Sequence, residues 1–206
     1  MTTSRSIRNL VFTALFAALF IALSAVKIPL SFSSVPITLQ NLAVMLAGAF
    51  LGARLGFSSI TIVLLLAATG LPLLHGQGGL AYMTGGTGGF LLAFPFAALA
   101  IGYFVGKILN SRIASNRIAT IILLFLVFEG FGSLATYVLG VPWLMHVYDM
   151  TFARAMTAGC YPFLPLDAFK AAAATAITMS LLPFLSISRP QSSPQQSLQT
   201  QTGTSR

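Results

Sequence analysis

Acidic residues are almost missing from this sequence, which has only Asp149, Asp167 and Glu129 among its 206 residues. Eleven Lys and Arg stand against them, and charged residues of every kind make up 7% of the chain. A soluble surface needs roughly a quarter or more of its residues charged to stay monomeric and dissolved, so this chain is not composed for water. Cysteine is just as scarce. Cys160 is alone and cannot close an intramolecular disulfide, and with His75 and His146 as the only histidines, without metal-ligand spacing, a zinc cluster lacks ligands. Both histidines read as incidental loop residues.

Signatures of catalysis are absent too. The sequence has no HExxH, no GxSxG and no cluster of carboxylates. It carries no nucleotide-binding cassette, so any uphill movement of solute must draw on a partner or an ion gradient. The net charge of +8 does not point to nucleic acid, because the basic residues are scattered singly between apolar runs, with no basic helix face and no aromatic RNA-binding motif.

What the chain has in abundance is apolar length: 56% of its residues are hydrophobic, far outside the soluble range. A bilayer core of roughly 30 Å takes about 20 apolar residues of helix. Six stretches qualify: Leu10 to Ile28, Val35 to Leu51, Phe57 to Leu74, Gly88 to Gly106, Ile118 to Leu139 and Pro165 to Ile187. The expectation is an all-α, polytopic membrane protein, a six-transmembrane-helix bundle over residues 1–188, with a polar, disordered Ser/Gln/Thr/Pro tail over 189–206. Arg5, Arg8 and the apolar run that follows imitate a signal peptide, but the further spans make Leu10 to Val26 a first transmembrane helix. The second span is the weakest. It opens on Val35, Pro36 and Ile37 and contains Gln40 and Asn41, so its first turns read as a loop dipping into the protein.

Six spans put both termini on one side, and that side collects Arg5, Arg8, Arg54, Lys107, Arg112, Arg117, Arg189 and Arg206. Lys27, Arg154 and Lys170 are left over, a positive-inside bias that places the termini in the cytoplasm. The loops Pro29 to Ser34, His75 to Thr87 and Gly140 to Leu164 then face outward, and the unusual chemistry lies near them. A stretch from His146 to Thr157, flanked by Trp143, Tyr148 and Tyr161, suits an amphipathic helix at the outer interface.

Four features stand out. On the first helix, Ala14, Ala18 and Ala22 fall four apart on one face, a spacing that lets another helix approach closely, inside the bundle or on a separate subunit. From Gly76 to Phe90, seven of fifteen residues are glycine. No P-loop lysine accompanies them, so the segment is either a flexible loop or a lid offering backbone N–H groups, Gln77, Thr84 or Thr87 to a polar ligand head. Asp167 and Lys170 stand three apart at the start of the last span, just after Pro165. The helix dipole favours the aspartate there and disfavours the lysine, which needs another reason to be present: a structural ion pair, or a ligand with its own charge and N–H donors. Glu129 lies deep in the fifth span, where a structural hydrogen-bonding role is expected.

Val35-Pro36-Ile37-Thr38-Leu39-Gln40, Gly70-Leu71-Pro72, the Gly79 to Phe90 loop, Leu139-Gly140-Val141 with Trp143, and Pro162 to Asp167 with Lys170 occur in a familiar order. Over roughly residues 7 to 187 the sequence resembles the BioY family, the biotin-binding S components of energy-coupling-factor (ECF) transporters. The resemblance implies a six-helix bundle that binds biotin near its outer face, under the loops after helices one, three and five. It implies no cofactor, with biotin as the transported ligand. Its partners would be a transmembrane coupling protein, docked on Ala14, Ala18 and Ala22, and two cytoplasmic ATPases, in the bacterial inner membrane. Candidate ligand residues on this reading are Asp167, Lys170, Gln40, Gln77, Tyr82, Thr87, Phe90 and Trp143. The family's usual Pro-Thr-x-Gly-Tyr string stands here as Gly86-Thr87-Gly88-Gly89-Phe90, which loosens the loop and removes a hydroxyl. Competing readings are a self-sufficient biotin facilitator, an S component for another vitamin, and an intramembrane enzyme using Glu129 or Asp167.

Overall fold

A computed structural model describes residues 2–31 and 33–182. The expected polar tail and the end of the sixth expected span lie outside those residues. Four helical segments are long and apolar enough to cross a bilayer among the described residues: Ser6–Ala25, Gln40–Ala68, Gly88–Leu109 and Arg117–Tyr148. Leu10, Leu65, Phe96, Ile118, Leu126 and Phe169 all point outward. In water such a girdle would aggregate; in lipid it is the ordinary outer surface of a bundle.

Helix α1 (Thr2–Ala25) leads into a hairpin of β1 (Lys27–Leu30) and β2 (Ser33–Thr38), and then into α2 (Gln40–Ala68). The hairpin is a two-stranded addition to an otherwise helical bundle, and residues 35–38, which opened the second expected span, are strand where a dipping loop was expected. Pro36 explains it: proline cannot donate within a helix or a central strand, and a two-stranded sheet has only edges. Helix α2 is two helices. Gly52 takes φ 78° and ψ 179°, a conformation open essentially to glycine, and the chain doubles back there. A Cβ built on Gly56 would lie 3.2 Å from the Gly48 Cα, whereas residues eight apart in a straight helix are about 12 Å apart. The second and third expected spans are therefore the two arms of one hairpin, the first arm only about 18 Å long from Gln40 to Leu51.

The short helix α3 (Leu80–Met83) precedes α4 (Gly88–Leu109), the central element. Two-thirds of its most apolar stretch is buried, against about a tenth for α1. It packs closely on both arms of α2: a Cβ on Gly48 would sit 2.7 Å from the Ala98 carbonyl, so only the small residue allows the contact. After a 3₁₀ turn, α5 (Arg117–Glu129), a π-helical turn (Gly130–Leu134) and α6 (Ala135–Tyr148) run on as one rod. The fifth span is thus longer than the sequence suggested, and residues 140–148 are helix where an outer loop was expected. Gly140 and Pro142 misled, because breakers of this kind are tolerated in membrane helices when neighbours repack around them. Here the Gly140 notch accepts the Phe90 ring. Asp149, in the left-handed conformation, ends α6, so the helix expected from His146 to Thr157 starts later, as α7 (Phe152–Gly159). Helix α8 (Leu164–Ser180), with proline in its first turn, completes six helical passes.

Candidate functional site

The C-terminus of α1, the N-termini of α2, α4 and α8, and the loop after α2 meet at one end of the bundle, opposite the Gly52 reversal. Between them opens a small cleft of about 60 Å³. Its floor is a polar cluster. The Asp167 Oδ1 accepts from the Asn41 amide at 2.9 Å and from the Lys170 ammonium at 3.0 Å, while the Asn41 Oδ1 accepts from Lys170 at 3.0 Å. The Tyr137 hydroxyl donates to the other carboxylate oxygen. Both members of the ion pair are almost wholly buried, at 5% and 4% exposure.

Such a pair is a poor investment in stability, because desolvation of two charges cancels most of their attraction. Its geometry leaves something unspent. A lysine ammonium has three N–H donors, of which two are used, and a carboxylate has about four acceptor positions, of which three are used. One donor on Lys170 and one acceptor position on Asp167 have no partner among the described residues, and both side chains line the cleft.

A second polar chain flanks the first. Gln40 donates to the Ser24 hydroxyl at 3.0 Å, and the same hydroxyl accepts from the backbone N–H of His75 at 3.1 Å. The His75 Nδ1 meets the Ser24 carbonyl. Burial pushes the His75 pKa below its ordinary value, with Lys27 adding to the effect and the Ser24 carbonyl opposing it. The walls between the two polar chains are apolar: Val35, Phe90, Phe94 and Phe163, with Phe90 edge-on to Tyr137 at 6.1 Å.

Against the family model for BioY, the match covers residues 1–186. The chain belongs to the BioY family. It is 40% identical to "Biotin transporter BioY" of Rhizobium etli, over 86% of this chain and 94% of that one, and 38% identical to "Probable biotin transporter BioY" of Pyrococcus horikoshii, over 80% and 92%. Among solved structures it is similar to the crystal structure at 2.1 Å of the S-component for biotin from an ECF-type ABC transporter. The TM-score is 0.79 at 32% identity, covering 89% of this chain and 95% of that one. This is a membrane-transporter family with the S-component fold, as the sequence resemblance implied.

Of the candidates read from the BioY resemblance, Gln40, Thr87, Phe90, Asp167 and Lys170 line the cleft together. Gln77, Tyr82 and Trp143 are not among its lining residues. Gln77 is exposed at a tight turn, and its backbone pairs with Leu74. Tyr82 stands edge-on behind His75 at 6.3 Å. Trp143 donates its indole N–H to the Gly85 carbonyl at 2.9 Å and packs where Gly88 and Gly89 leave room for it, so it holds the glycine loop. Ala14, Ala18 and Ala22 are exposed, so this stripe is not packing within the bundle. Asn41, Tyr137, Phe163 and His75 are residues that sequence reasoning did not place in the site. Asn41 had a legible signal, a polar side chain beside Gln40 in an apolar run; His75 had none.

Proposed function

We propose that this chain captures biotin with high affinity at the outer face of the cell membrane and passes it inward as the substrate-binding subunit of an ECF-type transporter. The observation that carries the reading is the unused donor and acceptor on Lys170 and Asp167. A ureido group offers a carbonyl and an N–H side by side, so the carbonyl accepts from Lys170 and the N–H donates to Asp167. A carboxylate offers acceptors alone and would face Asp167 with nothing to donate. The ureido end therefore belongs on the floor, and the apolar thiophane ring belongs against Phe90 and Phe163. Gln40 and Thr87 complete the polar margin.

The exposed alanine stripe of α1 supports docking onto a transmembrane coupling protein served by two cytoplasmic ATPases. The positive-inside bias supports cytoplasmic termini and an outward-facing cleft. The test is biotin binding by the purified protein. Asp167→Asn and Lys170→Ala are each expected to weaken binding by about ten- to 150-fold, the worth of a hydrogen bond to a charged group. Wild-type affinity in both folded variants would remove the reading.

A further inference from the structure

Biotin's other end is a carboxylate, and the floor of the cleft does not receive it. Lys170 is committed there, and no other Lys or Arg is among the lining residues. The remaining lining group able to carry positive charge is His75. It stands on the far flank of the first turn of α2: Gln40 reaches through Ser24 to His75, while its neighbour Asn41 reaches Asp167 and Lys170. A ligand lying across that turn touches the ion pair with one end and His75 with the other.

The backbone is arranged for this side chain at some cost. Leu74 and Gln77 exchange two backbone hydrogen bonds around His75 and Gly76, whose φ values are 55° and 75°. Two positive φ values in a two-residue turn are the conditions Asn-Gly and Asp-Gly meet best. A histidine occupies the first place instead. Its ring is then oriented by the Ser24 carbonyl at Nδ1, which must be the protonated nitrogen to donate there. No hydrogen bond holds Nε2 among the described residues, and in the neutral ring that nitrogen is a lone pair.

We propose that His75 binds the ligand's carboxylate, taking one proton from water as the ligand seats and returning it as the ligand leaves. The proposal rests on the biotin reading above. A lone pair on Nε2 repels a carboxylate, whereas a protonated Nε2 donates a charge-assisted hydrogen bond to it. The titratable and charged groups facing the ring are the Lys27 ammonium of β1 and the Tyr82 phenol of α3. Burial raises the Tyr82 pKa, so it stays neutral throughout and only Lys27 contributes charge. In the empty site burial and Lys27 hold His75 neutral; a bound carboxylate reverses that. Binding therefore strengthens as pH falls from the raised value in the complex toward the lowered value in the free protein.

Biotin and its neutral carboxamide, titrated against the purified full chain from about pH 8 to about pH 6, separate the possibilities, since the carboxylate stays ionised over this range. The Kd for biotin is expected to fall by up to about tenfold per pH unit, the limit for one linked proton, with proton uptake visible by calorimetry in buffers of different ionisation heat. The carboxamide should show neither effect. His75→Asn keeps a residue suited to the turn but takes up no proton, so it should abolish biotin's pH slope and its low-pH advantage over the carboxamide. Equal pH dependence for the two ligands, or a slope that survives in His75→Asn, overturns the assignment. If neither ligand binds the wild type, the biotin reading itself has failed.

Discussion

Asp167 and Lys170 draw attention because each contradicts its surroundings: both are charged within an apolar run, and the lysine sits at the wrong end of a helix dipole. What holds them is less visible. Tyr137 reaches Asp167 from 30 residues earlier, and the π-helical turn at Gly130–Leu134 adds one residue to the register before it. A regular 3.6-residue projection therefore assigns Tyr137 to the wrong face. Removing its hydroxyl leaves a carboxylate oxygen unpaired in a buried site. Tyr137→Phe should lower the melting temperature through loss of a charged hydrogen bond of about 1.5 to 3 kcal/mol, and weaken biotin binding by a smaller margin as the Asp167 carboxylate loses its orientation. Equilibrium binding and a thermal melt on one preparation check both. Unchanged affinity would place Tyr137 outside the ligand's reach.

At the scale of elements, hydropathy located the helical mass but not its breaks. Periodicity sees apolar length and is blind to a single backbone conformation, so Gly52 looked like part of a short inner loop although it is a point reversal between two packed arms. Gly140 and Pro142 looked like a boundary although they lie inside α6. A Cβ at Gly52 meets no atom within 4 Å, so any effect of Gly52→Ala is backbone strain alone. That strain is about 1 to 3 kcal/mol, and the variant should melt lower by a corresponding margin. Gly106→Ala is the control: the added methyl also meets nothing, φ is not positive, and the melting temperature should hold. Equal stability in both would mean that the reversal tolerates another conformation.

For the whole molecule, one end of the bundle carries the cleft and the side of α1 carries the exposed alanines, so the proposed ligand capture and partner docking are separable. Ala18→Trp should leave the Kd for biotin within about threefold while uptake in cells falls by about tenfold or more, equivalent to losing about 1.4 kcal/mol of docking energy. Uptake that survives both this change and deletion of every coupling module would favour a facilitator working alone. Orientation has its own test: single cysteines at Gln77 and at Arg112, in a Cys160→Ser background, should react with an impermeant thiol reagent from outside and from inside respectively. The reverse pattern would invert the topology.

Composition by itself determined the solvent. With so few charges and so many apolar residues, lipid is the environment in which this chain can fold, and the scatter of Lys and Arg supports the direction proposed for it. Ordered short motifs determined the family. Tertiary structure decided which polar residues share a site, because Asn41, Tyr137 and His75 come to line one cleft through a π turn, a hairpin reversal and a left-handed turn. Each is a local departure from regular periodicity that moves a side chain from one face to another, and regular periodicity is what a hydropathy pattern measures.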